Sequence, residues 1–232
     1  MNNQELLKTY FSVNNNELLI VVSKSDNQEV IFSKKKILSK KQNKLISEEI
    51  ELFFTEKIDE IEKKINSFVK NISLILRSEN IFSISFSFKK KFNDKASTKD
   101  EIKKLLIDGL RLIYKHHPDI FIIHYLIDKI DIDGQTTFST KGIIINEYIC
   151  IDLKFICINK DLIEKFKKLL KKKEIFLEKV FSEDYIRQYN DENNDIIKTV
   201  FEIDKGLNSL EIKLIPKMYE KKGFFENFFL SF

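Results

Sequence analysis

Three histidines are the residues in this 232-residue sequence whose type first suggests metal chemistry. His116 and His117 are adjacent, and His124 follows shortly after them. No cysteine or carboxylate lies around them at the spacing that tetrahedral zinc sites use. We therefore expect a basic pair at the end of a helix and a single histidine in a strand. No G-x-S-x-G, P-loop, H-E-x-x-H or C-x-x-C motif occurs, so we predict neither a catalytic residue nor a metal site.

A polar step, Asp133-Gly134-Gln135, separates two long apolar runs. Asp-Gly is the commonest signal for a two-residue hairpin turn, because both positions need a positive φ. Taken alone, the step therefore favours an ordinary hairpin. The alternative is that it forms part of a longer module signature, and the order of the neighbouring elements must decide between the two.

Composition predicts a globular protein with a core of its own, since 43% of the residues are hydrophobic. The net charge of +4 is modest, with 36 acidic residues interspersed among the basic ones, so we expect no nucleic-acid binding. Cys150 and Cys157 fall on opposite faces of one predicted strand, so we expect free thiols and a reducing, cytoplasmic environment. No apolar run approaches the roughly 18 residues of a membrane span, and we expect no membrane segment.

The first half of the chain predicts a strand pair around Ser25-Asp26-Asn27, followed by a helix with Ser47 as its N-cap. Apolar residues continue at helical spacing as far as Phe68 and Val69. Two strands are then expected, over 72–78 and 81–88.

Thr98 and Glu101 have the spacing of a capping box, and a helix through Leu105, Leu106 and Leu110 is expected after them. Two strands should flank the Asp-Gly-Gln step. The remainder predicts a helix over 160–172, a strand, a short helix, a linker over 189–196, and a last strand pair that turns at Gly206.

This order of elements resembles the bacterial cell-division FtsA family, in the actin/Hsp70-like ATPase superfamily. An α+β insert, the SHS2 or 1C subdomain, interrupts the first subdomain of that family. Its pattern is an apolar strand, an Asp-Gly-Gln or similar step, a loop with a glycine, and a second apolar strand. Asp133, Gly134, Gln135 and Gly142 match this pattern. The resemblance covers essentially the whole chain in order and pattern, which favours the module signature over the isolated hairpin.

The resemblance implies an α/β fold with an actin-like, ribonuclease H-like mixed sheet. Residues 1–78 and 160–190 would form subdomain 1A, and 79–159 the SHS2-like insert. Residues 196–232 would begin a second actin-like half, 2A, which the chain does not complete.

The resemblance also implies ATP and Mg²⁺ as family cofactors and a phosphate-binding hairpin near the C-terminus. Asp204, Gly206 and Ser209 would be its nucleotide-binding positions, and Glu211 replaces the usual final aspartate. Glycine allows backbone N–H groups to approach phosphate oxygens, but no glycine precedes Gly109, and the two residues after Gly206 are not glycine. A degenerate nucleotide site is therefore expected, without ATP hydrolysis.

The implied function is a part in septum and divisome assembly through protein–protein contacts. Partners would be other division proteins and further copies of the chain, held by the insert through the strand 82–88 and the helix carrying Leu105, Leu106 and Leu110. The family also binds the ring protein FtsZ, through a subdomain that lies beyond this sequence. The expected location is the cytoplasm, at the septum on the inner face of the cell membrane.

Three alternatives remain at this point. The chain could be a working actin-like ATPase of another system, such as pilus assembly. It could be a lysine-rich nucleic-acid module, or a soluble α/β domain whose element order matches the family by chance.

Overall fold

The computed structural model describes residues 7–38, 47–138, 143–190 and 195–212. Eleven strands and five helices lie within these ranges. In chain order they are β1 Leu7–Val13, β2 Glu17–Lys24, β3 Val30–Ile37, α1 Glu48–Ile65, β4 Asn71–Leu76, β5 Phe82–Lys91, β6 Ala96–Ser97, α2 Thr98–His116, β7 Ile120–Ile132, β8 Gln135–Thr137, β9 Ile144–Ile145, β10 Tyr148–Asn159, α3 Lys160–Lys171, β11 Phe176–Ser182, α4 Glu183–Arg187 and α5 Ile196–Lys205.

The main sheet has five strands in the order β11-β4-β1-β2-β3. Strands β1, β2 and β3 form an antiparallel meander, whereas β4 and β11 run parallel to β1. The carboxyl ends of β1, β4 and β11 therefore meet at one edge of the sheet. An antiparallel meander continued by two parallel strands is the mixed sheet of the actin-like, ribonuclease H-like fold, and the predicted fold class is confirmed.

Helices cover both faces of the main sheet. On one face, α1 and α3 pack their apolar stripes against β1, β2 and β4. On the other face, α4 and α5 cover Tyr10, Val21 and Ile75. Strand β1 was not predicted, because a strand buried on both faces lacks the polar–apolar alternation that marks a half-exposed strand.

Helix α1 begins as predicted, with Ser47 Oγ accepting a hydrogen bond from the Ile50 N–H. It ends earlier than the apolar spacing indicated. Asn66 adopts a left-handed conformation at φ 50° and terminates the helix, so Phe68 lies in the following loop, 79% exposed.

A second, antiparallel sheet has the order β5-β10-β7-β8, and α2 packs on one of its faces. A Cβ atom on Gly109 of α2 would lie 3.4 Å from Leu153 Cδ1 and from Phe155 Cζ, so the helix sits close to the sheet at this point. The Asp-Gly-Gln step forms the predicted tight turn between β7 and β8, with φ of 52° at Asp133 and 84° at Gly134.

The predicted capping box at the start of α2 is wrong, although the helix does begin there. Ser97 is the N-cap, and its side chain makes no capping hydrogen bond. Thr98 Oγ1 instead donates to the Ile143 carbonyl at 2.7 Å, because the pairing of β6 with β9 brings that carbonyl over the helix start. Glu101 is buried and accepts hydrogen bonds from Lys90 and Lys104.

The strand pair predicted around Gly206 is also wrong. Residues Ile196–Lys205 form α5, with Asp195 as the N-cap and Gly206 ending the helix at φ 99°. Their β-branched residues favour a strand locally, but Ile197, Val200 and Ile203 share one helical face that packs on the main sheet. Residues 191–194 of the predicted linker and 213 onward of the predicted second strand lie outside the described residues.

Candidate functional site

A polar cleft of about 550 Å³ opens at the carboxyl ends of β1, β4 and β11. In open α/β sheets, ligands bind in the crevice outside the carboxyl ends of the strands. Two of the chain's three arginines face this cleft. Its lining is Asn14, Asn15, Asn16, Glu17, Arg77, Ser78, Glu79, Asp184 and Arg187.

The turn between β1 and β2 forms one wall of the cleft. Its backbone N–H groups donate to acceptors within the turn itself. Asn14 Oδ1 accepts hydrogen bonds from the N–H groups of Asn16 at 2.9 Å and Glu17 at 2.8 Å. The Asn14 N–H donates to the Glu17 carbonyl at 3.1 Å. A phosphate-binding turn needs N–H groups that point at the ligand, so this turn does not fit a phosphate.

Glu183 lies buried beside the cleft, 1% exposed, and contacts three of the cleft's lining residues. Arg187 donates to its Oε1 from Nε at 2.8 Å and from Nη2 at 2.6 Å. Asn14 Nδ2 donates to Oε2 at 3.4 Å, and Arg77 Nη1 lies 3.9 Å from Oε1. These contacts compensate the buried carboxylate, because a buried charge is tolerated only when it is paired.

The second arginine is also paired, since Arg77 Nε lies 3.2 Å from Asp184 Oδ1. Both arginines are therefore engaged by carboxylates, and carboxylates outnumber arginines around the cleft. In the described part of the chain, no three His, Cys, Asp or Glu side chains come together as metal ligands. The two arginines of this cleft therefore do not fit the phosphates of Mg²⁺-ATP, which need donors that are not already paired.

The three nucleotide-binding positions implied by the resemblance do not line this cleft. Asp204 lies in the last turn of α5 and forms ion pairs with Lys8, at 2.7 Å, and with Lys179. Although burial alone raises the pKa of the Asp204 carboxyl, hydrogen bonds from Lys179 and Lys8 outweigh it and hold that pKa below its ordinary value. Gly206 caps the helix and Ser209 is exposed in the following turn.

The histidines occupy the positions predicted for them. His116 is in the last turn of α2, and His117 is its C-cap. His124 is buried on β7, where its Nε2 accepts a hydrogen bond from the Ser182 N–H at 3.1 Å. Its Nδ1 therefore carries the proton and donates to Glu211 Oε1 at 2.7 Å. The contact between His124 and Glu211 could not be predicted from the sequence, because the two residues lie far apart along the chain.

The predicted contact surface on α2 needs a correction. Leu105 and Leu106 are 6% and 7% exposed, and Leu110 is half-buried. All three pack against the second sheet, because they lie on the apolar stripe that covers it. Exposed apolar side chains on α2 are instead Ile107, Leu112 and Tyr114. None of the described helices is both long enough and apolar enough to cross a membrane.

The sequence matches no protein-family model and no curated protein. Among solved structures, the PilM-PilN type IV pilus biogenesis complex has a chain 8% identical to this one, with a TM-score of 0.48 over 81% of this chain and 50% of that chain. The cytoplasmic domain of EpsL, an inner membrane component of the type II secretion system of Vibrio cholerae, is 13% identical, with a TM-score of 0.36 over 78% and 56%. A Bacteroides thetaiotaomicron protein with an actin-like ATPase fold and unknown function is 11% identical, with a TM-score of 0.33 over 82% and 58%.

The chain thus spans 50% to 58% of the length of these solved chains. At such identities and TM-scores, the similarity carries nothing about activity or partners. The assignment of the actin-like fold rests on the strand order and helix layers of the main sheet.

Proposed function

We propose that this chain works by binding other proteins through its inserted subdomain, residues 79–159, and does not hydrolyse ATP. The role that fits best is that of an FtsA-like protein in septum assembly, with other division proteins and further copies of the chain as partners. The observation that carries the proposal is the open edge of β5.

Strand β5 is ten residues long and lies at the end of the second sheet, where it pairs with β10. Its other edge pairs with no strand that the structure describes. Such an edge presents a row of backbone donors and acceptors that can add a strand from another chain. Ser83, Ser85 and Ser87 leave one exposed side of β5 without charge over most of its length.

The outer strand of the main sheet offers a contrast. Strand β3 carries three consecutive lysines, Lys34 to Lys36, at its edge position. Lysine on an edge strand opposes pairing with a second chain. In β5 the lysines stand only at the end, over 89–91, so most of the strand lacks this protection.

The cleft supports the second part of the proposal. In the turn between β1 and β2, backbone N–H groups already donate to the Asn14 side chain. The two arginines of the cleft are paired with Glu183 and Asp184. A site for ATP turnover would need those groups free to hold phosphates.

The test is to image the fluorescently tagged chain in dividing cells of its source. We expect enrichment at the septum, and a diffuse signal for Ser85→Lys/Ser87→Lys, because two charges on the open strand oppose strand addition. Ser33→Lys, at an exposed position of β3, is the matched control and should stay at the septum. Equal septal enrichment of all three proteins would contradict the assignment to β5, and a diffuse signal for the unmodified chain would contradict the division role.

A working actin-like ATPase of another system, such as pilus assembly, is the second candidate, since the cleft lies at the ligand-binding edge of the sheet. A ligand that binds the folded state raises the melting temperature. We expect no change in Tm with Mg²⁺-ATP. A Mg²⁺-dependent rise would favour this candidate instead.

A further inference from the structure

Two helix-to-strand loops lie side by side at the amino ends of β4 and β11. The first, over 66–70, joins α1 to β4, and the second, over 172–175, joins α3 to β11. The Phe176 N–H donates to the Lys70 carbonyl at 2.9 Å, and Phe176 is the register partner of Asn71 in the parallel ladder. The two loops therefore form one continuous surface.

Each loop buries one apolar side chain and exposes a phenylalanine beside it. Val69 and Ile175 are 6% and 4% exposed, within the main core. Their neighbours Phe68 and Phe176 are 79% and 73% exposed, more than any other phenylalanine that the structure describes. Because Val69 and Ile175 anchor the loops, the two exposed rings are not needed for packing and are available to a partner.

Lysines are concentrated in the two chain segments that carry these rings. The segments 62–70 and 171–176 contain six lysines but only two carboxylates, Glu62 and Glu174. The lysines are Lys63 and Lys64 in the last turn of α1, Lys70, Lys171 in the last turn of α3, Lys172 and Lys173.

Half of these lysines are already engaged. Lys172 and Lys173 form ion pairs with Glu51 and Asp59, and Lys64 Nζ donates to the Ile31 carbonyl. Lys63, Lys70 and Lys171 are exposed and have no ion-pair partner within the described ranges. The surface therefore keeps an uncompensated positive charge beside its two aromatic rings.

We propose that this basic aromatic surface, made of Phe68, Phe176 and the six lysines, binds an anionic lipid bilayer. Aromatic side chains that enter the headgroup boundary, with lysines beside anionic lipids, are the two elements of peripheral membrane binding. A bilayer is the partner to which we commit, because the exposed lysines without ion-pair partners are complementary to anionic headgroups. The surface lies on the main sheet, apart from the edge of β5, and the proposal is independent of the proposed function.

The test is co-sedimentation of the full chain with phosphatidylcholine vesicles that contain or lack phosphatidylserine. We expect binding to the anionic vesicles alone, weakening as salt is raised. Phe68→Ser/Phe176→Ser should weaken that binding at least about tenfold, because two large apolar groups are lost. Phe138→Ser, which removes a ring 67% exposed on the second sheet, is the matched control and should bind as the unmodified chain does.

A second readout uses the absence of tryptophan from the sequence. In Phe176→Trp the single indole should shift its emission to shorter wavelength with anionic vesicles, and in Phe138→Trp it should not. Three outcomes would overturn the proposal: no binding to anionic vesicles, equal binding to neutral ones, or equal loss in the Phe138→Ser control. The first of these would leave a protein partner as the explanation of the surface.

Discussion

Tyr10 on β1 carries the one buried side-chain oxygen that lacks a hydrogen-bond partner among the described residues. Burial, with Asp204 and Glu178 nearby, raises the pKa of this phenol, so it stays neutral. A buried polar group without a partner costs about 1–3 kcal/mol. Tyr10→Phe should therefore raise the free energy of unfolding by about 1 kcal/mol, measured by urea denaturation.

Tyr185 provides the matched comparison, since it is equally buried but fully bonded. Its hydroxyl donates to Glu211 Oε2 at 3.1 Å and accepts from Asn208 Nδ2 at 3.0 Å. Tyr185→Phe should lower the free energy of unfolding by about 1 kcal/mol or more, because two partners lose a hydrogen bond. Changes of the same sign in both variants would contradict the difference in bonding.

The charged carboxylate of Asp133 ties the turn between β7 and β8 to residues 146–148, at the start of β10. Its carboxylate accepts hydrogen bonds from the N–H groups of Tyr148, Asn146 and Glu147, which lower the pKa from 3.8 to about 2. A carboxyl with a lowered folded-state pKa contributes stability that is present above about pH 4 and lost as pH falls to about 2. The urea midpoint of Asp133→Asn should therefore lie below that of the unmodified chain at pH 6, and the gap should close within that window. A gap that does not depend on pH would show that the charge is not involved.

At the scale of elements, local signals predicted the amphipathic helices well. The starts of α1 and α3, and the turn at Asp133-Gly134, follow from caps, apolar stripes and turn residues that lie within one short window. The sequence did not predict β1 and α5, because the structure of these two elements depends on packing against residues far away in the chain. Strand β1 is covered on both faces, and α5 is rich in β-branched residues that a strand would equally suit.

The cleft could not be predicted, for a related reason. Its lining comes from the segments 14–17, 77–79 and 184–187, which meet only because β1, β4 and β11 run parallel. Two clues were present in the sequence. Glu183 and Arg187 have the i, i+4 spacing of a helical ion pair, and Arg77 and Arg187 are two of only three arginines.

The assignment of residues 196–205 to a helix makes its own prediction. Asp195 Oδ1 accepts a hydrogen bond from the Ile197 N–H at 3.0 Å, as an N-cap does. Asp195→Ala should lower the free energy of unfolding by about 1 kcal/mol, in the same range as Ser47→Ala at the start of α1. If Asp195→Ala leaves the free energy of unfolding unchanged while Ser47→Ala lowers it, the helix assignment is contradicted, and the strand pair predicted from the sequence is favoured instead.

At the scale of the whole molecule, one buried network joins the two sheets to the segment that follows α5. His124 of β7 accepts a hydrogen bond from Ser182, at the end of β11, and donates to Glu211. Tyr185 of α4 donates to the other oxygen of the same carboxylate. The backbone of the segment also pairs with β7, through Ile127 N–H to the Leu210 carbonyl at 3.0 Å.

Glu211 thus accepts hydrogen bonds from β7 of the second sheet and from α4, which covers the main sheet, and links the segment after α5 to both. Glu211→Ala leaves two buried donors without an acceptor, so we expect a loss of about 3 kcal/mol in the free energy of unfolding. Glu211→Gln keeps one acceptor oxygen, so its free energy of unfolding should fall by less than that of Glu211→Ala. Amide hydrogen exchange locates the effect: protection of the Ile127 N–H should fall by more than that of Leu74, in the centre of the main sheet, because the segment detaches from β7 before the core opens. An equal fall at both amides would mean that the junction opens only together with the core, and that the two sheets form one cooperative unit.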